Sequence, residues 1–199
     1  MNDAGRGIEL ILASDSPRRA RLLGEILPSF RIVPSRVEED RDEGEDPRAY
    51  VMRMSQKKAE SVADALGRGS GGCWVLAGDT VVVVEGAVLG KPADAEQAAR
   101  MLQQLQGRLH EVITGICLLN RGSGICLVEA VGTRVWMRRI DPEEMEAYIR
   151  SGEPFDKAGG YAIQGEGGRF ISRIDGSYTN VVGLPMERIR EWFRLYGIL

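Results

Sequence analysis

An α/β fold is predicted for this chain on three observations. An apolar stretch over 8–13 runs through a tight loop into an amphipathic helix; a long Val-rich strand covers 74–84; and two more strand-length runs, 111–119 and 125–137, are separated by Arg121-Gly122-Ser123-Gly124. Stretches of helical periodicity lie between these strands, which is the pattern of helices packed on a sheet.

The first strand ends at Ser14-Asp15-Ser16-Pro17, where Ser16 is placed to cap a helix and Pro17 to occupy its first turn. Leu22, Leu23, Ile26 and Leu27 then recur at helical spacing. Residues 36–45 are charged and poor in apolar side chains, as a surface loop is, before Asp46-Pro47 opens a second helix reaching to about Leu66. A flexible break is expected over 68–72. The strand 74–84 is expected to be interrupted at Gly78-Asp79-Thr80, and Glu85-Gly86 to turn it into a short partner at 87–89. Asp94 begins a helix that Gly107 ends, and the runs 111–119 and 125–137 form a hairpin. Asp141-Pro142-Glu143-Glu144 starts another helix, stopped at Ser151-Gly152. The glycine-rich segment 155–178 reads as a long loop, and a final helix runs from Pro185 to about Tyr196. No linker divides the chain, so residues 1–199 are expected to be one domain.

Composition narrows the function. The 26 basic and 29 acidic side chains nearly cancel, which speaks against a nucleic acid polymer as partner but leaves room for a small anion held by a few Arg and Lys. Three cysteines without C-x-x-C spacing make neither a disulfide framework nor a zinc site, and fit a reducing cytoplasm. Residues 1–7 lack a signal-like apolar run, and no later stretch approaches the roughly 18 apolar residues of a membrane span. With His110 the single histidine, carboxylates and lysines are left to carry most of the chemistry.

Four segments are candidates for that chemistry. In Ser14-Asp15-Ser16-Pro17-Arg18-Arg19, hydroxyls, free helix N–H groups and two guanidinium groups meet within six residues, the form of a phosphate site; the same residues also describe a capped helix with solvated arginines. Asp79 lies in the most hydrophobic strand, where a carboxylate needs a cation, a water or a cleft, or else holds a β-bulge beside Gly78. Leu89-Gly90-Lys91-Pro92 resembles half of a phosphate loop but fails the full Walker pattern, since Glu85 stands at the first glycine and Pro92 at the hydroxyl. Lys91, like Lys58 on the second helix, is either a substrate contact or an ordinary solvated lysine. Finally, Glu153 to Gly165 is not a dinucleotide fingerprint, yet its glycines permit close backbone approach and its Phe, Tyr and Gln offer means to cover and read a base.

Together, Leu12-Ala13-Ser14 through Arg19, Gly78-Asp79-Thr80, Gly90-Lys91-Pro92, and Asp156-Lys157-Ala158-Gly159 with Gln164-Gly165 resemble the Maf family of nucleotide pyrophosphatases, in the expected order over nearly the whole chain. The resemblance implies an elongated mixed-sheet α/β fold of two lobes around a deep cleft, related to the inosine triphosphate pyrophosphatases, and commonly a homodimer. It implies Asp79 as general base, Ser14, Arg18, Arg19, Lys58 and Lys91 as triphosphate contacts, and Glu39 as the partner of Asp79 at a divalent metal, Mg2+ or Mn2+. Glu38 competes with Glu39 for that last role.

Two main branches of the family act on dTTP and UTP or on 7-methyl-GTP. The second tends to carry Trp, Gln and Glu where this chain has Arg18, Thr80 and Gln164. A Trp face suits a cationic methylated purine, whereas Gln matches the O4 and N3–H edge of uracil or thymine. Hydrolysis of dTTP and UTP to the monophosphate and pyrophosphate is therefore expected. A nucleotide sensor controlling division without catalysis is the rival reading, since family members are linked to septum formation. Hydrolysis of 7-methyl-GTP or of modified purine triphosphates is a third.

Overall fold

The computed structural model describes residues 8–67 and 72–199. The break expected over 68–72 lies, apart from Gly72, outside the described residues, as does the stretch 1–7. The order of elements is β1 (Leu10–Leu12), α1 (Pro17–Gly24), β2 (Arg31–Ile32), α2 (Pro47–Ala65), β3 (Trp74–Val84), β4 (Ala87–Leu89), α3 (Ala95–Leu105), β5 (Leu109–Asn120), β6 (Ile125–Met137), α4 (Pro142–Arg150), β7 (Ile171–Asp175), α5 (Tyr178–Val182) and α6 (Met186–Leu195). Seven strands form one mixed sheet of order β2-β1-β3-β5-β6-β7, with β4 paired to β3. β1 runs parallel to β2 and β3, while β4 and β7 are antiparallel to their neighbours. No described helix is long and apolar enough to cross a membrane.

The chain gathers into two compact units, and β3, β5 and β6 each supply a segment to both. The first comprises Met1–Asp79, Gly115–Ala130 and Met186–Leu199. Its core joins Ile11, Val75, Ala77, Cys117 and Leu119 of the strands, with Ala13 just past β1, to Ala59, Val62 and Ala63 of α2. Asp46 starts α2 by accepting from the N–H groups of Arg48 and Ala49, with Pro47 in the first turn. Residues Tyr50, Met54 and Lys58 recur every four positions and are all buried, so they share the face of α2 turned to the core. α2 can lie this close to β5 because of Gly115: a Cβ there would stand 2.1 Å from the Val51 carbonyl oxygen.

The second unit comprises Thr80–Thr114 and Val131–Pro185. Its core packs Val82, Leu102, Leu105, Val135, Tyr148 and Phe170. Glu85 and Gly86, with φ of 49° and 82°, make the tight turn between β3 and β4 that the sequence predicts. Asp94 and Asp141 cap α3 and α4, the latter through a full capping box with Glu144.

Two expectations need correction. β3 is continuous through Gly78-Asp79-Thr80; Asp79 stays in the ladder because a lysine neutralises its carboxylate, as described below. Nor is 155–178 one long loop. It holds short 3-10 turns at Glu153–Asp156, Ala158–Gly160 and Glu166–Phe170, then β7 and the start of α5. β7 escapes pattern reading because Ile-Ser-Arg-Ile-Asp scarcely alternates. Its outward Arg173 instead covers the Trp136 ring on β6, 4.6 Å from the centroid.

Candidate active site

Five of the predicted residues converge within the first unit. Asp79, 6 % exposed, accepts from Lys58 Nζ through Oδ1 at 2.5 Å. The same ammonium is 2.6 Å from Oε1 of Glu39, whose side chain reaches in from the charged 36–45 loop. Of the pair Glu38-Glu39, it is Glu39 that makes this ion pair. Lys58 is thus no solvated helix lysine: it is 7 % exposed and bridges two carboxylates. Burying a cation on the core face of α2 is tolerable only with such partners.

At the β1–α1 junction, Ser14 is almost fully buried and its Oγ accepts from the Ser16 N–H (3.2 Å) and from Arg19 Nη1 (3.3 Å). Ser16 caps α1 over the Arg19 N–H, with Pro17 in the first turn. Burial lowers the Arg19 pKa, opposed by the charges of Asp79 and Glu39 and reinforced by Arg18. Arg19 and Lys58 therefore share one electrostatic neighbourhood with Asp79 and Glu39, two positive charges against two negative. Arg18, the residue before, is half-buried in the first turn of α1.

Sequence reasoning missed the residues that hold this arrangement. Tyr50, two turns before Lys58 on the same face of α2, donates its hydroxyl to the Glu39 carbonyl at 3.1 Å. Burial first, then the charges of Asp79 and Glu39, push its pKa up to about 12, so the phenol keeps its proton and remains a donor. Arg53 clasps Glu45 through both nitrogens of its fork and also donates to the Asp40 carbonyl at 3.0 Å. The loop bearing Glu39 is thereby tied to α2 at Glu39, Asp40 and Glu45. The four-residue spacing of Tyr50, Met54 and Lys58 was the available signal.

The remaining predicted residues belong to the second unit. Thr80 Oγ1 lies 3.0 Å from Thr114 Oγ1, and Thr114 donates to the Asn180 carbonyl at 3.0 Å. Since Thr114 has a single hydroxyl proton, Thr80 must be the donor of the first bond, and its remaining capacity is as an acceptor. Asn180 is fixed in turn by donating to Val112 O and Thr133 Oγ1. Lys91 is exposed after β4. Its neighbour Gly90 accepts from the Gly159 N–H at 2.9 Å, so the Gly90-Lys91-Pro92 and Ala158-Gly159-Gly160 motifs abut. Gly159 has φ of 71° and packs on Val82, a Cβ there standing 3.0 Å from the Val82 side chain, so any other residue would be strained. Gln164 is half-buried in the turn that follows.

The oxygens of Glu39 and Asp79 converge on one cation position and are the hard ligands that Mg2+ or Mn2+ prefers. Two carboxylates completed by phosphate oxygens and water is a usual shell for Mg2+, so this pair fits such an ion. Chemically, a buried carboxylate beside an ammonium, a guanidinium and a capped helix start can bind a phosphoanion and take a proton beside it.

An α/β protein so equipped is of the class that handles phosphate esters and anhydrides. The chain belongs to the Maf family: residues 9–195 match the model described as Maf-like protein. It is 45 % identical over 193 residues to a dTTP/UTP pyrophosphatase of Koribacter versatilis (strain Ellin345), covering 97 % of both chains. It is 46 % identical over 180 residues to one of Thermococcus kodakarensis, covering 90 % of this chain and 93 % of the relative. Among solved structures it is similar to the Staphylococcus aureus Ham1 protein, at 18 % identity and a TM-score of 0.44 over 65 % of this chain and 71 % of that one.

Proposed function

We propose that this protein hydrolyses dTTP and UTP to the nucleoside monophosphate and pyrophosphate, with Asp79 as the general base. Near-full-length relatives at about 45 % identity bear the name dTTP/UTP pyrophosphatase, which supports the reaction and the substrates. The observation that carries the role of Asp79 is its buried carboxylate, held by Lys58 in the same neighbourhood as Arg19 and Glu39. Asp79 takes a proton from the water that attacks the α-phosphorus, a contribution of about 10²–10⁴-fold. Ser14, Arg18, Arg19, Lys58 and Lys91 bind the triphosphate and the charge that grows on the departing pyrophosphate. A divalent cation held by Glu39 and Asp79 would neutralise phosphate charge.

On this reading Lys58 has a second task. By pairing with Asp79 before substrate arrives, it holds a buried carboxylate in place and aimed, as a base requires. Arg18, Thr80 and Gln164 set the preference for a pyrimidine base, Thr80 as an acceptor. The enzyme acts in the cytoplasm as a homodimer.

Pyrophosphate release measured over dTTP, UTP, CTP, ITP and 7-methyl-GTP with Mg2+ or Mn2+ tests the proposal. Highest kcat/KM for dTTP and UTP is expected. A lead for ITP or 7-methyl-GTP would move the enzyme to a purine branch, and tight UTP binding without turnover would make it a sensor.

A further inference from the structure

The segment 162–168 is not a loose lid. Glu153 sits at its centre: Oε1 accepts from the Tyr148 hydroxyl (3.1 Å) and the Gly167 N–H (3.0 Å), and Oε2 from the Glu166 N–H (2.9 Å). Gly165, with φ of 130°, lies flat on this carboxylate, where a Cβ would stand 2.7 Å from both oxygens. The turn also closes on itself. A Cβ on Gly168 would meet the Ile163 carbonyl at 2.4 Å, and one on Gly167 the Tyr148 hydroxyl at 2.6 Å. Tyr148 is fully buried, so the clamp is anchored in the core. At the other end of the segment, Tyr161 meets His110 Nε2 at 2.6 Å. Gln164 stands between these two anchors.

We propose that Glu153 is a positioning residue that fixes the Gln164 backbone and thereby the choice of pyrimidine. The proposal rests on Gln164 as the side chain that reads the base. An amide presents one donor and one acceptor side, and uracil or thymine shows O4 with N3–H where cytosine shows an amino group with bare N3. These two edges are mirror patterns that a rotated amide can satisfy equally well. Discrimination then depends on how firmly the backbone holds the amide, and three hydrogen bonds to one carboxylate, two of them from the residues following Gly165, supply that hold.

The test measures kcat/KM for UTP and CTP in the parent, Glu153→Gln, Gln164→Ala and the double variant. It also follows amide hydrogen exchange at Glu166 and Gly167. In Glu153→Gln the new NH2 faces a backbone N–H, so at least one bond of the clamp is lost. The expected result is a fall of about tenfold in the UTP/CTP ratio, mostly through KM for UTP, with faster exchange at both amides and a double variant no worse than Gln164→Ala. Should Glu153→Gln fail to fold, Tyr148→Phe removes one bond of the same clamp and is expected to lower the ratio about threefold. An unchanged ratio in Glu153→Gln, or losses that multiply in the double variant, while Gln164→Ala does lose discrimination, overturns the positioning role alone. An unchanged ratio in Gln164→Ala overturns the base-reading role and this proposal with it.

Discussion

Replacing Lys58 by Met separates the electrostatic role of this residue from its packing role, since Met fills similar space without charge. Lys58 and Asp79 have side chains only 8 % exposed, so their ion pair is shielded from water. Removing one member of a buried pair typically costs about 3–5 kcal/mol, because the other is left charged in a poor solvent. For a domain of this size roughly 2–4 °C is lost per kcal/mol. The unfolding midpoint of Lys58→Met should therefore fall by roughly 6–20 °C. Asp79→Asn should lose less, since Lys58 keeps Glu39 at 2.6 Å. With the ammonium gone, Glu39 and Asp79 face a vacated cation position, and a divalent ion at about a hundred times its Kd would restore roughly 2.7 kcal/mol. Differential scanning fluorimetry with and without Mn2+ reads both effects. Lys58→Met should be destabilised and should gain more from Mn2+ than the parent, in which the lysine competes for the same oxygens. A variant that melts with the parent, or equal Mn2+ increments in the two proteins, would refute the reasoning.

Two further outcomes are expected. His110 is 2 % exposed and burial lowers its pKa to about 4, so between the ordinary value of 6.5 and 4 the unfolded chain binds the proton the folded one refuses. Stability tied to His110 is complete above pH 6.5 and is lost as pH falls toward 4, about 3 kcal/mol in all; denaturant titrations of His110→Gln should lack this slope. Gly115→Ala drives a Cβ to 2.1 Å from the Val51 carbonyl oxygen, so α2 must shift from β5. A loss of at least about 3 kcal/mol is expected, and because α2 carries Lys58, any folded fraction should also lose activity.

Local physics made much of the fold legible in the sequence. Helix starts at Ser16-Pro17, Asp46-Pro47 and Asp141-Pro142 are readable because a cap and a proline act within three residues. β7 and the two-residue β2 were not, since their pairing depends on neighbours distant in the chain. The same divide runs through the candidate site. Asp79 stands out as an acid in an apolar strand, but its partner Lys58 is 21 residues away, and only the docking of α2 on the sheet brings them together. Tyr50 and Arg53 carry no motif of their own, and Glu153 opens the glycine-rich candidate segment without any mark of its particular role. Their roles lie in holding the loop of Glu39 and the turn of Gln164, which a linear reading does not display.

The most direct test of Asp79 as the base is pyrophosphate release from UTP by Asp79→Asn, compared with the parent after matched unfolding curves show that both are folded. The substitution preserves shape, and Lys58 remains held by Glu39. A fall in kcat of about 10²–10⁴-fold with UTP still bound is the predicted result. Full turnover by the Asn variant would contradict it.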